Sequence, residues 1–131
     1  MALDKEGNLL IIEYKHGTNT SGIYLSPLQI GMYYDLFLDY RSKNKAGFDA
    51  AIISMLKQKQ EIGLINPAWK MPKRIKGIIP TLIISEQNCR SVAESNFKDV
   101  LEIVQSRMAN LKKLKVFNYT KSEGLKSLAW I

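Results

Sequence analysis

The feature that most constrains the fold is an apolar run that ends in two opposite charges. The run Leu9–Ile12 leads directly into Glu13-Tyr14-Lys15. Apolar residues fill every position of this run, which predicts a strand that is covered on both faces. Residues two apart in a strand point to the same face, so Glu13 and Lys15 project side by side. A buried charge is costly unless it is paired or bound to a metal. The strand end therefore predicts either an ion pair at the rim of a sheet or a metal-dependent site.

Length and charge limit the class of protein. The chain has 131 residues, which fits one domain over residues 1–131. Its formal net charge of +7 favours an anionic partner such as nucleic acid. No apolar run approaches the roughly 20 residues that span a bilayer, so we expect no membrane partner. Cys89 is the one cysteine, which rules out an intrachain disulfide and predicts a reducing, cytoplasmic location.

A helix is predicted immediately after the charged strand end. Residues 4–8 form a predicted turn around Gly7, and residues 16–22 form a polar loop. Ser26 then predicts an N-cap, Pro27 the first helical position, and Gln29 the partner in a capping box. We expect this helix to reach about Tyr40. Its predicted apolar side consists of Leu28, Met32, Leu36 and Phe37.

The rest of the chain completes an α/β order. Further predicted elements are a helix over 47–62 that ends at Gly63, a strand over 78–85 with Pro80 near its start, a helix over 91–114, a short strand over 116–119 and a packed segment over 125–131. Alternation of strands and helices predicts a mostly buried sheet flanked by helices.

These motifs together resemble the PD-(D/E)XK nuclease superfamily, in particular its branch of RecB-type exonucleases. In that branch, a strand ending in Glu-X-Lys is followed by a helix that carries Gln-X-X-X-Tyr. Glu13, Lys15, Gln29 and Tyr33 match this pattern. The resemblance implies a restriction-endonuclease-like mixed sheet flanked by helices. Its specific motifs lie within residues 9–33, although the order of elements agrees over most of the chain.

The resemblance also implies roles for these residues. Glu13 would be a ligand of Mg²⁺ or Mn²⁺, and the carbonyl of Tyr14 would be a further ligand. Lys15 would orient the attacking water or stabilise charge on the phosphate. Gln29 and Tyr33 lie one helical turn apart on one face, where they would steady Lys15 or contact the nucleic acid.

One element of the family pattern is missing. The family places an Asp on the strand before the Glu, facing the same metal. A hairpin that turns at Glu6-Gly7 would put Asp4 beside Leu9, about 13 Å from Glu13 at ~3.3 Å per residue. We therefore expect an N-terminally truncated or degenerate member, or a carboxylate supplied by Asp35, Asp39 or another subunit.

Other residues add weaker indications. His16 follows the site and is either a phosphate contact or a solvated loop residue. Cys89 and His16 show no pattern of a nucleophile pair. The loop before the second long strand is basic and aromatic, a composition that suits phosphate contact and base stacking; it contains Trp69, Lys70, Lys73, Arg74 and Lys76.

Three functions follow from these features. The first is a Mg²⁺-dependent nuclease-family domain acting on DNA, with Glu13 and Lys15 as catalytic residues. Its substrate contacts would be Gln29, Tyr33, Lys73 and Arg74. The second is a non-catalytic module with a nuclease-like fold that binds nucleic acid or protein. The third is a homodimer joined through an exposed sheet edge.

Overall fold

A five-stranded mixed sheet forms the centre of the protein in the computed structural model, which describes residues 1–88 and 90–131. The strands lie in the order β1-β2-β3-β4-β5. Their bounds are Ala2–Leu3, Leu9–His16, Ile78–Ser85, Lys115–Thr120 and Gly124–Ser127. β2, β3 and β4 pair in parallel, whereas β1 and β5 join the two edges antiparallel. The α/β expectation is therefore confirmed as a mixed sheet with helices, without a more specific fold.

Four α-helices connect and cover the strands. They are α1 (Thr20–Tyr24), α2 (Ser26–Lys43), α3 (Lys45–Glu61) and α4 (Ala93–Arg107), and a 3₁₀ turn follows at Ala109–Lys113. The predicted helix over 91–114 is thus shorter than expected and continues as the 3₁₀ turn. Gly63, at φ +79°, follows α3 as predicted. No helix in residues 1–88 and 90–131 is long and apolar enough to cross a membrane.

The helices pack on one face of the sheet. On that face, Leu9 and Ile11 of β2 lie beside Ile78, Pro80 and the following alternate residues of β3, and all of these are buried. The opposite face carries a set of apolar side chains that are partly or largely exposed. They are Leu10, Ile12, Tyr14, Ile79, Ile83, Phe117, Tyr119 and Leu125. The prediction that β2 is covered on both faces was therefore wrong.

Pro80 is accommodated in the middle of the sheet by its position. Along β3, the main-chain groups of successive residues face β2 and β4 in turn. The carbonyl of Ser85 accepts a hydrogen bond from the Gly17 amide, so Ser85 faces β2. Position 80 therefore faces β4, which pairs with β3 only from Thr81 onward. The missing N–H of Pro80 lies where no strand would accept from it, so a proline here breaks no ladder bond.

The turn between β1 and β2 is organised by Asp4. Its carboxylate accepts hydrogen bonds from the amides of Glu6 and Asn8 at 2.9 and 2.8 Å and from the Asn8 side chain at 2.9 Å. Gly7 takes φ +87° within this turn. Leu3 pairs with Leu9, so Asp4 lies across from Asn8. The expected hairpin was wrong by one residue, but Asp4 remains far from Glu13.

Most of the outer edge of β2 is left open. β1 pairs only with Leu9 and Leu10. The amides of Leu9 and Gly17 donate to Gly77 and Ser85 of the β3 segment, so the odd-numbered residues of β2 direct their main-chain groups toward β3. The main-chain groups of Ile12, Tyr14 and His16 consequently point away from β3, toward the outer edge. At the end of this edge, the His16 carbonyl accepts a 2.9 Å bond from the Asn19 amide.

The start of α2 differs from its prediction. The predicted loop over 16–22 contains the first residues of α1, which Asn19 caps through a 2.9 Å bond from the Gly22 amide to Asn19 Oδ1. Ser26 is not the N-cap, because α1 leads directly into α2 and the Ser26 hydroxyl donates to the carbonyl of Ile23. Gln29 is therefore not part of a capping box.

The buried face of α2 is also not the predicted one. The residues of α2 that are buried are Ser26, Pro27, Ile30, Gly31 and Tyr34. Leu28, Met32 and Leu36 of the predicted apolar side are each more than half exposed. Apolar residues surround this helix. The side that packs inward carries Gly31, where a Cβ would lie 3.0 Å from the sulfur of Met108.

The Asp4 turn makes stability depend on pH. Burial raises the pKa of Asp4, but the hydrogen bonds from Asn8 and Glu6 together lower it by more. The net pKa of Asp4 is therefore below the usual 3.8. Such a group stabilises the fold above the unfolded pKa, and this contribution is lost as the pH falls through the lowered folded value. We expect Asp4→Ala to lower the free energy of unfolding by about 1 kcal/mol near neutral pH.

This difference should shrink as the pH falls below 3.8. Urea unfolding of both proteins across this range measures it. A difference that stays constant with pH would contradict the role assigned to the carboxylate.

Candidate functional site

The site predicted from sequence assembles at the carboxyl end of β2. Glu13 and Lys15 lie on the helix-covered face, beside Leu82 and Ile84 of β3. Lys15 Nζ lies 2.7 Å from Glu13 Oε1 and donates a 2.9 Å hydrogen bond to Gln29 Oε1 of α2. The Lys15 ammonium thus joins Glu13 of β2 to Gln29 of α2, which follows Lys15 by 14 positions in the sequence.

Burial separates this ion pair from the exposed ion pairs in the described residues. The side chains of Lys15 and Glu13 are 15% and 22% exposed. The pair between Lys43 and Asp39 is instead 71% and 58% exposed. Water screens the exposed pair strongly, whereas the Glu13–Lys15 pair and the Arg41–Asp49 pair, 13% and 10% exposed, are shielded from it. Of these two shielded pairs, the Glu13–Lys15 pair is the one that lies at the carboxyl end of β2.

The chain between β2 and α2 sets the position of Gln29. Gly17 ends β2 with its amide on the Ser85 carbonyl, and a Cβ on Gly17 would overlap the main chain of Glu86. Asn19 then caps α1, which turns the chain into α2. Sequence reasoning missed α1, although Asn19 followed by the buried Ile23 carried the signal of a helix start.

The other two motif residues are Tyr33 on α2 and Tyr14 on β2. Tyr33 lies one turn beyond Gln29 on α2 and is 43% exposed. The side chain of Tyr14 points to the opposite face of the sheet and is exposed, whereas its carbonyl faces the open edge of β2. A groove lined by Lys15, Asn19, Ser21, Gly22, Leu25, Leu28 and Gln29 opens next to the pair.

Lys73 and Arg74 lie at the other end of the sheet. Their loop leads into the start of β3, where the Lys76 amide donates to the Gly7 carbonyl and Leu9 bonds to Gly77. Lys15 is six residues beyond Leu9 along β2, so it lies roughly 20 Å from this end of the sheet at ~3.3 Å per residue. The structure does not bring Lys73 and Arg74 to the Glu13–Lys15 pair. They instead line a separate groove of about 530 Å³ against α3, together with Lys57 and Asp49.

The other candidates do not join the site. His16 is exposed and forms a 2.9 Å hydrogen bond with the Thr18 hydroxyl within its own loop. Asp39 pairs with Lys43, and Asp35 is exposed on α2. Cys89 lies outside the described residues. Within the part of the chain that the structure describes, no three His, Cys, Asp or Glu side chains gather as a metal-binding group.

Comparisons with models of protein families, with curated proteins and with solved structures find no match to this chain.

The ion pair predicts an unequal response to loss of charge. In Glu13→Gln, the largely buried Lys15 ammonium loses its counterion, and we expect the free energy of unfolding to fall by about 1–3 kcal/mol. The matched change Asp39→Asn breaks an exposed pair and should cost less than about 0.5 kcal/mol. Urea unfolding at low salt measures both values, and equal effects would contradict the electrostatic importance of Glu13.

Proposed function

We propose that this chain is a metal-dependent nuclease-family domain that acts on phosphodiester bonds of DNA. The observation that carries the proposal is the Lys15 ammonium held between Glu13 and Gln29 at 2.7 and 2.9 Å. A carboxylate, an ammonium and an amide meet at the end of a parallel strand. Residues outside carboxyl ends of such strands commonly bind ligands in α/β proteins.

The donor atoms at this point fit Mg²⁺ or Mn²⁺. Lys15 approaches Glu13 at Oε1, and a carboxylate has a second oxygen that a metal could share. The Tyr14 carbonyl faces an edge that β1 does not cover. Magnesium is commonly held by one or two carboxylates, and waters and substrate oxygens complete its octahedron. When bound, the metal would polarise a phosphoryl oxygen and lower the pKa of a bound water.

The chain's own groups would prepare the phosphate for attack. Lys15 presents a positive charge in a half-enclosed groove, where it can hold a phosphate oxygen or the attacking water. Gln29 accepts from the ammonium and so fixes its position. Tyr33, one turn further along the same helix face, would contact the sugar or base of the bound strand.

A direct metal titration tests this proposal. We expect Glu13→Gln to weaken Mn²⁺ affinity, followed by electron paramagnetic resonance, by at least about tenfold. The control Glu123→Gln removes an exposed carboxylate of the β4–β5 turn and should leave the affinity unchanged. Unchanged affinity in Glu13→Gln would refute the assignment of the metal site.

Cleavage of single- and double-stranded DNA with Mg²⁺ is measured in parallel with the same variants. Activity that disappears in Glu13→Gln identifies a working nuclease. Metal binding without cleavage identifies a degenerate member of the class.

The second candidate function is a non-catalytic module that binds nucleic acid. The groove against α3 favours it, because Lys57, Lys73 and Arg74 line one concave surface. Basic side chains neutralise phosphates and release counterions, so such binding weakens steeply with salt. A cytoplasmic location and a homodimer through a sheet edge remain predictions that belong to either function.

Charge reversal separates the contribution of this groove. We expect Lys73→Glu with Arg74→Glu to weaken DNA binding and to reduce the slope of log K against log salt by about 0.9 for each lost phosphate contact. The control Lys98→Glu with Lys126→Glu makes the same change in net charge outside the groove and should have a smaller effect. Equal effects of the two variants would show that only net charge matters.

A further inference from the structure

The open edge of β2 is shaped to pair with itself. We propose that two copies of this chain associate through β2, antiparallel about a two-fold axis at Tyr14, and so join their sheets into one. A strand edge with unpaired main-chain groups is a template for another strand. The edge beyond Leu10 is six residues long, from Ile11 to His16, and no strand pairs with it. One main-chain bond reaches its end, from the Asn19 amide to the His16 carbonyl at 2.9 Å.

The main-chain groups select one register. Ile12, Tyr14 and His16 face the open edge, and they are spaced symmetrically about Tyr14. With the axis at Tyr14, this residue pairs with the partner's Tyr14, and Ile12 pairs with the partner's His16. The Tyr14 pair exchanges two N–H···O bonds. In each pair of Ile12 with His16, the His16 carbonyl accepts from Ile12 as its second bond, beside the bond from the Asn19 amide of its own chain. An axis at Ile12 would require Leu10, which already pairs with Ala2. An axis at His16 would leave Ile12 without a partner strand residue.

The same register matches opposite charges. Residues directly opposite in an antiparallel pair share a face of the sheet, so Glu13 lies opposite the partner's Lys15 and Lys15 opposite the partner's Glu13. Opposite charges at such positions stabilise strand pairing, whereas like charges oppose it. An axis through Glu13 would instead bring two glutamates together. Charge and hydrogen bonding therefore favour the same arrangement.

An exposed apolar stripe on α2 flanks this edge. It consists of Leu25, which immediately precedes α2, and of Leu28, Met32, Leu36 and Tyr40 along the helix, each at least 41% exposed. At one end of the stripe, Leu25 and Leu28 border the same groove as Lys15. At the other end, Leu36 and Tyr40 border a groove with Met1, which precedes β1. A second copy on the β2 edge lies next to this stripe, so one partner covers both unpaired features.

The dimer also supplies a second carboxylate, a consequence that rests on the proposed function. The two Glu13 residues become diagonal neighbours on one face, with Cα atoms about 7–8 Å apart. Two carboxylates at this spacing can reach one divalent cation. The Tyr14 carbonyl is then used in strand pairing, so the partner's Glu13 replaces it as the second ligand. We therefore expect one metal ion for each dimer.

Sedimentation equilibrium of the full chain tests the association. We expect a monomer–dimer equilibrium that Tyr14→Pro weakens by about 10- to 100-fold, because the proline removes the N–H donated at the two-fold axis. This N–H does not bond to β3, so circular dichroism should show an unchanged fold. Tyr14→Thr keeps the N–H and should still dimerise. A monomer at all concentrations, or equal dimerisation by Tyr14→Pro, would overturn the proposal.

A disulfide trap tests the register without relying on a weakened variant. In a Cys89→Ser background, Tyr14→Cys places two thiols on Cα atoms about 5.5 Å apart, within the range that a disulfide spans. We expect rapid formation of a covalent dimer. Ser122→Cys, on the exposed β4–β5 turn, is the control and should remain monomeric under the same oxidation. Equal crosslinking of the two variants would overturn the register.

The metal stoichiometry separates this inference from the proposed function. One Mn²⁺ for each dimer, lost when Tyr14→Pro removes the dimer, supports the shared site. One Mn²⁺ for each chain in both proteins overturns the shared site and leaves the proposed function intact. A dimer that binds no Mn²⁺ overturns the proposed function and the shared site, and the strand-paired association stands on its own.

Discussion

The parallel pairing of β2 with β3 is the constraint on which the rest of the structure depends. It joins the two strands at every residue from Leu9–Ile78 to His16–Ser85. This register decides which side chains face the helices and which main-chain groups face outward. It brings the Glu13–Lys15 pair to the carboxyl end of the sheet, where α1 and α2 begin. A shift by one residue would turn both charges to the opposite face, away from Gln29.

Much of the architecture follows from local sequence patterns. The apolar runs of β2 and β3 are long enough to identify both strands, and Gly7 and Gly63 mark turns where positive φ is needed. The orientation of α2 could not be predicted in this way. Apolar residues occur all around that helix, so its period does not identify a buried side, and the choice depends on which side fits against α4 and the sheet. Tertiary packing therefore determines which side of α2 is buried.

The site was predictable because it depends on short spacings. Glu13 and Lys15 share a face by strand geometry, and Gln29 lies near the start of the following helix. The separation of Lys73 and Arg74 from this pair could not be predicted, because the position of a loop in the sequence does not state at which end of the sheet it lies. Parallel pairing resolves the matter: a loop that precedes β3 must lie at the amino end, whereas the Glu13–Lys15 pair lies at the carboxyl end of β2.

The unpaired stretches of the sheet differ in how readily they could accept another strand. Beside β4, the first part of β3 carries Pro80, which offers no N–H to an incoming strand. The far edge strand, β5, has four residues and exposes Lys126, and both features discourage further pairing. The longer edge of β2 has no proline, and its one lysine is turned inward onto Glu13. Among the described strands, the stretch from Ile11 to His16 is therefore the longest edge at which an added strand would meet neither a proline nor an outward-facing lysine.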